Sequence, residues 1–441
     1  MTTALAARPA KTIEQRPGVL RRVGGLRHTS PGRLQLLIAV LVALGLLSGL
    51  LAGVAGSSAR AGTDDLGDRA QPLLVEAEAI YSAIADADTT AAQAFLAGGL
   101  EPQQLTERYD EDLRTATTAL TSAARRTQEN GRAADAVREL SSGIATYNAL
   151  VATARANNRQ GKPVGSSYLS EASRLNREAL QPQARALFDS AQTEVEDGYG
   201  KAGAAGWMSL LLLSLLALLI ALILTQRYLS RRTQRTFNLP LLAATVVTLL
   251  FTVGGLALLI SQQSRLDRAA NQGSGPLTSI AESRILALTA RGDEALTLAG
   301  RAGSGPYEVN FDQTVERLML ERGPLLNAYG SLDPALGRYM DSAATELQAY
   351  VTTHKEVRRL DDGGEYDDAV DLAIGPGTTE QFDGARKSLE QALDNRKAFF
   401  TDEIDAAGNG LGLLTVLGPL LALVICALGF AGLRARLEEY R

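Results

Sequence analysis

The chain has one cysteine and two histidines in 441 residues. Cys426 lies inside an apolar run, so no disulfide can form within the chain and no Cys/His cluster can hold a metal. No phosphate loop follows a strand, and neither a nucleophile elbow nor a zinc-spaced histidine pair is present. The glycine cluster "GNGLG" (408–412) lacks the preceding strand that a phosphate loop needs. No catalytic residue, metal or cofactor is expected, and the chain reads as a non-enzyme. Acidic and basic residues are also missing from four stretches: Leu36–Ala55, Trp207–Thr225, Leu239–Ile260 and Leu411–Leu433. Each is about 20 residues long, enough for a helix to cross a hydrocarbon core of roughly 30 Å. Transporters of ions or polar solutes usually keep charges inside their spans, so these charge-free runs argue against a pump or permease.

What is present is charge, and it is distributed unevenly. The N-terminal tail (1–35), the loop 226–238 and the tail 434–441 together hold 14 basic and 3 acidic residues. Their net charge of +11 leaves −16 for segments 57–206 and 261–410 in a chain whose total is −5. Basic segments stay on the cytoplasmic side, which predicts a multi-pass protein of a bacterial cell membrane with both termini inside and both long segments outside. The basic residues suit an anionic leaflet, and membrane lipid rather than nucleic acid is the expected neighbour. Small residues in "AGVAGSSARAG" could mark a signal-peptide cleavage site, but the apolar run exceeds a usual signal-peptide core. A retained first span (36–56) is therefore expected, with the others at 207–225, 239–260 and 411–433.

The two long segments align with each other. At an offset of 204, Pro72 falls on Pro276, Leu73 on Leu277, Glu78 on Glu282, Ala83 on Ala287 and Gly99 on Gly303. The chain is thus two copies of span, outer domain and span, a parallel duplication. Apolar spacing within the copies is helical. Val137, Leu140, Ile144, Tyr147, Val151 and Ala154 form one seam, and Leu73, Ala77, Ile80, Ile84, Ala87, Ala91 and Ala94 another. Pro72 and Pro276 suit the first turn of a helix, where no amide donor is needed. Breakers at 97–102, 129–132 and 159–165, and at 300–306, 330–334 and 360–366, divide each copy into four helices. The predicted fold is an all-α membrane protein with four transmembrane helices and two tandem extracytoplasmic antiparallel four-helix bundles. Helices of this length place the first and third breakers of each copy at the far tip.

Candidate contact residues follow from that layout. Arg227, Arg231, Arg232 and Arg235, in a loop without acids, are the natural cytoplasmic contact for a partner. At the tips, Arg159, Gln160 and Lys162 in one copy and Arg358, Arg359, Asp361 and Asp362 in the other could meet an outer partner or ligand, the arginines suiting a carboxylate. Gly45, Gly49 and Gly53 recur every four residues, a small-residue face for another span of this chain or for a second molecule in a homo-oligomer. Asp86 and Asp88 read as a solvated helix face. His354 occupies the seam position of Val151 and reads as a partly exposed imidazole at the seam's edge. Glycines in "DGYGKAGAAG" (197–206) and "AAGNGLG" (406–412) suit either hinges or close contacts.

Each half resembles the sensor half of bacterial chemoreceptors in architecture, without room for their cytoplasmic signalling hairpin. The basic tail, the duplicated layout and the stretches "IYSAIADADTTAAQAFLAGGLEP" (80–102) and "ARANNRQGKPVGSSYLSEASRLNR" (154–177) are similar to four-span actinobacterial membrane proteins of GlnX type. That resemblance implies a relay between an extracytoplasmic glutamate/aspartate-type binding lipoprotein and a cytoplasmic Ser/Thr kinase of the kinase G kind. It supplies no catalytic motif. The residues leave two other readings open: a direct receptor holding a small molecule between the two bundles, and a transport or cell-envelope scaffold subunit.

Overall fold

The computed structural model describes residues 30–98, 101–127, 130–233, 238–301 and 305–438, and every regular element among them is helical. In chain order, α1 (Ser30–Asp65) leads through a π turn (Leu66–Ala70) into α2 (Gln71–Leu96). Next come α3 (Gln103–Arg126), α4 (Arg132–Arg159) and α5 (Val164–Leu175), then a second π turn (Asn176–Leu180) and α6 (Gln181–Gly203). α7 (Ala205–Thr233) and α8 (Leu239–Arg268) follow, and a third π turn (Ala269–Ser274) opens α9 (Gly275–Gly300). The remaining helices are α10 (Pro306–Leu332), α11 (Pro334–Asp362), α12 (Tyr366–Ile374), α13 (Pro376–Gly408) and α14 (Leu411–Glu438).

The chain divides into two compact units. The first takes the described residues up to 57, residues 205–259 and those from 410 onward. It contains the four charge-free runs, each within a helix long and apolar enough to cross a membrane, as a multi-pass membrane protein requires. Within this unit, α1 and α14 approach closely because glycine stands wherever a side chain would collide. Gly45 faces Cys426; a Cβ on Gly49 would fall 2.7 Å from that of Ala422, and one on Gly53 3.5 Å from the Pro419 ring. From the other side, a Cβ on Gly418 would fall 2.5 Å from that of Ala52. The glycine stripe is therefore occupied within the chain. A buried hydroxyl pair, Ser48 and Ser214 at 3.0 Å, links α1 to α7.

The second unit holds residues 58–204 and 260–409; its main apolar cluster is drawn from both repeats, with a smaller one around Leu298, Val357, Ala369 and Ala373. In the first repeat α2 packs on α3 and α6, and α4 on α5; in the second, α9 packs on α10 and α13, and α11 on α12 and α13. The first helices of the two repeats, α2 and α9, also pack on each other. This central position explains their burial. Every residue from Ser82 to Ala94, and from Ala290 to Leu298, is buried, whereas a surface helix buries only a stripe. Alanine dominates α2 because a helix enclosed on all sides needs small residues at its contacts.

The prolines correct one expectation. Pro72 and Pro276 do not start helices, since the preceding residues are already helical (Ala70 φ −70, ψ −46; Ser274 φ −64, ψ −37). A proline inside a helix has no amide donor, and its ring collides with the carbonyl four residues back. The π turn, with its wider loop, relieves that collision. Pro182 stands in the same way just after the second π turn, Asn176–Leu180. Helix therefore runs without a break over 65 residues from Gly32 to Leu96 and over 62 from Leu239 to Gly300. The returning segments differ. α6 ends at Ala204, which is left-handed at φ +39, and α13 ends before Gly410 at φ +86. Gly198, by contrast, is a packing glycine: its Cβ would fall 2.7 Å from Leu66.

Candidate functional site

The contact between α2 and α9 is charged as well as apolar. Asp86 of α2 accepts from Arg284 of α9 at 2.7 Å and from Arg108 of α3 at 3.3 Å, and Arg108 reaches Asp383 of α13 at 3.0 Å. Glu78 lies 3.6 Å from Arg284 and 2.9 Å from Lys397. Farther along, Thr89 donates its hydroxyl to the Leu288 carbonyl at 2.8 Å. Asp86 and Asp88, expected on a solvated face, are only 2% and 3% exposed. Arg284 of the other repeat covers Asp86, while Tyr147, Ser173 and Arg177 of its own repeat enclose Asp88, neither of which the pattern of one helix alone could anticipate. Their counterparts Ala290 and Gly292 are small. A Cβ on Gly292 would fall 3.3 Å from the guanidinium of Arg177. Arg177, in the π turn before α6, pairs with Asp88 of its own repeat at 3.6 Å and with Asp293 of the other.

Each repeat also buries a carboxylate against the tyrosine of its third helix. In the first, Asp88 accepts from Tyr147 at 3.3 Å and from Ser173 at 2.8 Å. Burial raises the Asp88 carboxyl against the opposing pull of Arg177 and these two hydroxyls. In the second, Glu294 accepts from Tyr350 at 3.0 Å, pairs with Arg291 and meets His354 Nδ1 at 2.8 Å. His354 Nε2 lies 3.1 Å from Glu308, and the ring stacks on Phe311 at 3.6 Å. His354 is thus fully enclosed, at 3% exposure, rather than at the seam's edge. Burial would lower its basicity, but the bonds to Glu294 and Glu308 outweigh that and lift its pKa to about 9. An imidazolium between two carboxylates is the arrangement the core can hold. Arg291 donates to the carbonyl of Ala373, closing the end of α12 where Gly375 breaks the fourth helix before Pro376.

Two cavities open between the repeats. One of about 400 Å³ is lined from α2, α3, α9 and α13 and contains Glu78, Asp86, Arg108, Asp112 and Arg284. Burial and the nearby Asp86 charge push Asp112 up to about 7. The other, of about 660 Å³, lies at the loop ends, among Asn158, Lys162, Arg301, Tyr366 and Asp371. Arg301 stacks over the Tyr366 ring there at 4.4 Å.

Of the expected tip residues, Lys162 lines the larger of these two cavities. Gln160 is an exposed turn residue at the end of α4, and exposed Arg159 is 3.6 Å from Glu101. In the other repeat Arg358 is buried, pairing with Asp361 and Asp362 at 2.6 Å each and with Glu308 at 3.4 Å. The one arginine of that cluster is thus fully engaged by three carboxylates. Exposed Arg359 pairs with Glu356 at 2.8 Å. Arg227 and Arg231 are exposed on α7, while the Arg232 side chain and Arg235 lie outside the described residues. Among the described residues no group of His, Cys, Asp and Glu is placed to hold a metal ion. Arg108, Arg177, Arg284, Asp293 and Glu294 were not singled out from sequence. One signal was available: α9 carries Arg284, Arg291, Asp293 and Glu294 within a run otherwise patterned for burial.

No curated protein and no solved structure matches the chain. Residues 62–200, under a third of the chain and confined to its first repeat, match the family model described as an actinobacterial sensor domain. With four helices able to cross a membrane, the chain is in this respect similar to sensor proteins of actinobacterial membranes.

Proposed function

We propose that the protein is a non-enzymatic transmembrane relay. In this reading the helical repeats are extracytoplasmic and receive an amino-acid-availability signal through a binding lipoprotein. Arg227, Arg231, Arg232 and Arg235 then engage a cytoplasmic Ser/Thr kinase. The observation that carries the reading is the charged seam, in which Asp86, Arg108, Arg284 and Asp383 neutralise one another across the repeats. Buried Asp86 is shared by Arg108 and Arg284, so a partner favouring one arrangement of α2 against α9 would exchange these pairs together and bias a two-state element. α2 and α9 are also the helices that continue without a break from the first and third apolar runs. The likeness of residues 62–200 to a sensor domain supports the same reading.

The test is chemical crosslinking in intact host cells, with the captured proteins identified by mass spectrometry. A binding lipoprotein and a kinase should be recovered with the unaltered chain. The kinase alone should be lost when the four arginines are changed to alanine. Recovery of neither protein would overturn the relay. The two cavities between the repeats favour a second reading, a receptor that binds its ligand directly; saturable binding to the purified chain without a partner protein would distinguish it.

A further inference from the structure

The 400 Å³ cavity at the seam carries unbalanced charge. Its four cations are all engaged: Arg284 with Glu78 and Asp86, Arg108 with Asp86 and Asp383, Lys397 with Glu78, and Arg386 with Asp383 and Glu390. Its acids are not all engaged. Asp112 and Asp394 form no ion pair among the described residues, and Asp112 takes only the Thr90 hydroxyl at 3.2 Å. Deeper in, Glu78 is 1% exposed; Lys397 holds its Oε2 at 2.9 Å, while its Oε1 accepts no hydrogen bond and has Arg284 only at 3.6 Å. A buried carboxylate oxygen without a donor is costly, and an unpartnered acid lining a cleft marks a candidate binding site.

We propose that this cavity binds a small organic ammonium ion, held by Asp112 and by the Glu78 oxygen that accepts no hydrogen bond. An ammonium group brings three donors and one positive charge. The cavity offers acceptors in Asp112, Glu78 Oε1 and the Ser82 hydroxyl, whose own proton goes to the Ala79 carbonyl at 3.4 Å. Ala83 and Leu393 supply an apolar wall for a short carbon chain. A divalent metal fits less well, because it needs several oxygens converging on one point, and no such group is formed among the described residues. The volume lies at the small end of ligand sites, which limits the ligand to a few carbons. Exposed Asp394 and Glu390 of α13 and Glu111 of α3 give the mouth an acidic rim that attracts such a cation. What occupancy reports to the cell rests on the relay reading; the binding itself does not.

Asp112 is faced by Asp86 and Thr90 of α2, Arg108 of its own helix, Arg284 of α9 and Arg386 of α13. It ionises near pH 7, whereas an alkylammonium stays charged to about pH 10. The experiment is calorimetric titration of the full chain in detergent with 1,4-diaminobutane. Saturable binding is expected, about tenfold tighter at pH 8 than at pH 6 as Asp112 loses its proton. Asp112→Asn and Glu78→Gln should each weaken it tenfold or more. Asp394→Asn, at the exposed rim and without consequence for folding, should weaken it a few-fold. Succinate, of similar length and opposite charge, should not bind, and magnesium should not displace the amine. Absence of saturable binding at pH 8, binding unchanged in the Asp112 and Asp394 variants, or displacement by magnesium would each overturn the proposal. Amine binding without kinase capture would refute the relay and leave the site standing. Kinase capture without amine binding would do the reverse.

Discussion

The two repeats solve one problem in two ways. Both bury a carboxylate of the first helix beneath the tyrosine of the third, Asp88 under Tyr147 and Glu294 under Tyr350. In the first repeat the balancing cation, Arg177, also pairs with Asp293 of the neighbour, so one cation serves a buried carboxylate in each repeat. In the second, Arg291 and His354 supply the charge from within. Duplication thus produced one core that is electrostatically open toward its partner and one that is closed. The open core is the natural place for a change of arrangement to be felt.

The largest test of that contrast is Arg177→Ala. It leaves Asp88 and Asp293 buried without their shared cation, and breaking a buried pair by removing one partner costs about 3–5 kcal/mol. Denaturant unfolding of the full chain should show that loss, and hydrogen exchange should rise in both α2 and α9. Arg291→Ala should cost less, about 2–3 kcal/mol, because His354 and Tyr350 still serve Glu294. Its exchange increase should stay within α9 and α12. Equal spread of the two effects over both repeats would end the distinction between an open and a closed core.

His354 gives the next largest effect and a pH signature. Its pKa in the fold, about 9, lies above the 6.5 of an unperturbed histidine. The stabilisation is therefore complete below pH 6.5 and is lost as pH rises through 9. The shift corresponds to on the order of 3 kcal/mol. His354→Val, which restores the residue found at the equivalent Val151, should remove that decline from the stability profile between pH 6.5 and 9. A decline that persists in the variant would assign it to another group.

The hydroxyls come below that. Tyr147→Phe and Tyr350→Phe each delete one donor to a carboxylate that keeps at least two others, and about 1 kcal/mol is expected for each. Near-equality would show that the tyrosines are the conserved element of the two designs and that the cations are the divergent one. A loss confined to one repeat would show that the tyrosines too have diverged.

Much of this fold was legible because its signals are local. Four charge-free runs, six breakers and the 3-4 spacing of Val137, Leu140, Ile144 and Tyr147 each depend on one helix and its own periodicity. The seam was not legible because it depends on two helices 204 residues apart whose polar faces meet. Asp86 looks like a surface acid until Arg284 is brought against it, and Gly292 looks incidental until Arg177 needs its space. The prolines misled in an instructive way. A proline suits the first turn of a helix, and only the preceding backbone reveals a π turn that carries the helix through it. Arg358, Asp361 and Asp362 were legible as a tip cluster, but not the engagement of Arg358 within the fold, since Glu308 comes from another helix.

The smallest prediction concerns the two joints that interrupt the returning helices. Ala204 and Gly410 are both left-handed, at φ +39 and φ +86, but only one is glycine. Ala204→Gly would relieve roughly 1 kcal/mol of left-handed strain. It would also add about 0.5–1 kcal/mol of chain entropy to lose on folding, so its net effect should be close to zero. Gly410→Ala introduces the strain and places a Cβ 3.0 Å from Leu258, tighter than ordinary contact, and should cost about 1–2 kcal/mol. Denaturant unfolding of both variants reads the difference. Because glycine suits either joint, Ala204→Gly should leave kinase capture unchanged, whereas a joint whose stiffness transmits the signal would lose it. That outcome would move the relay from the unbroken helices α1–α2 and α8–α9 to the interrupted ones.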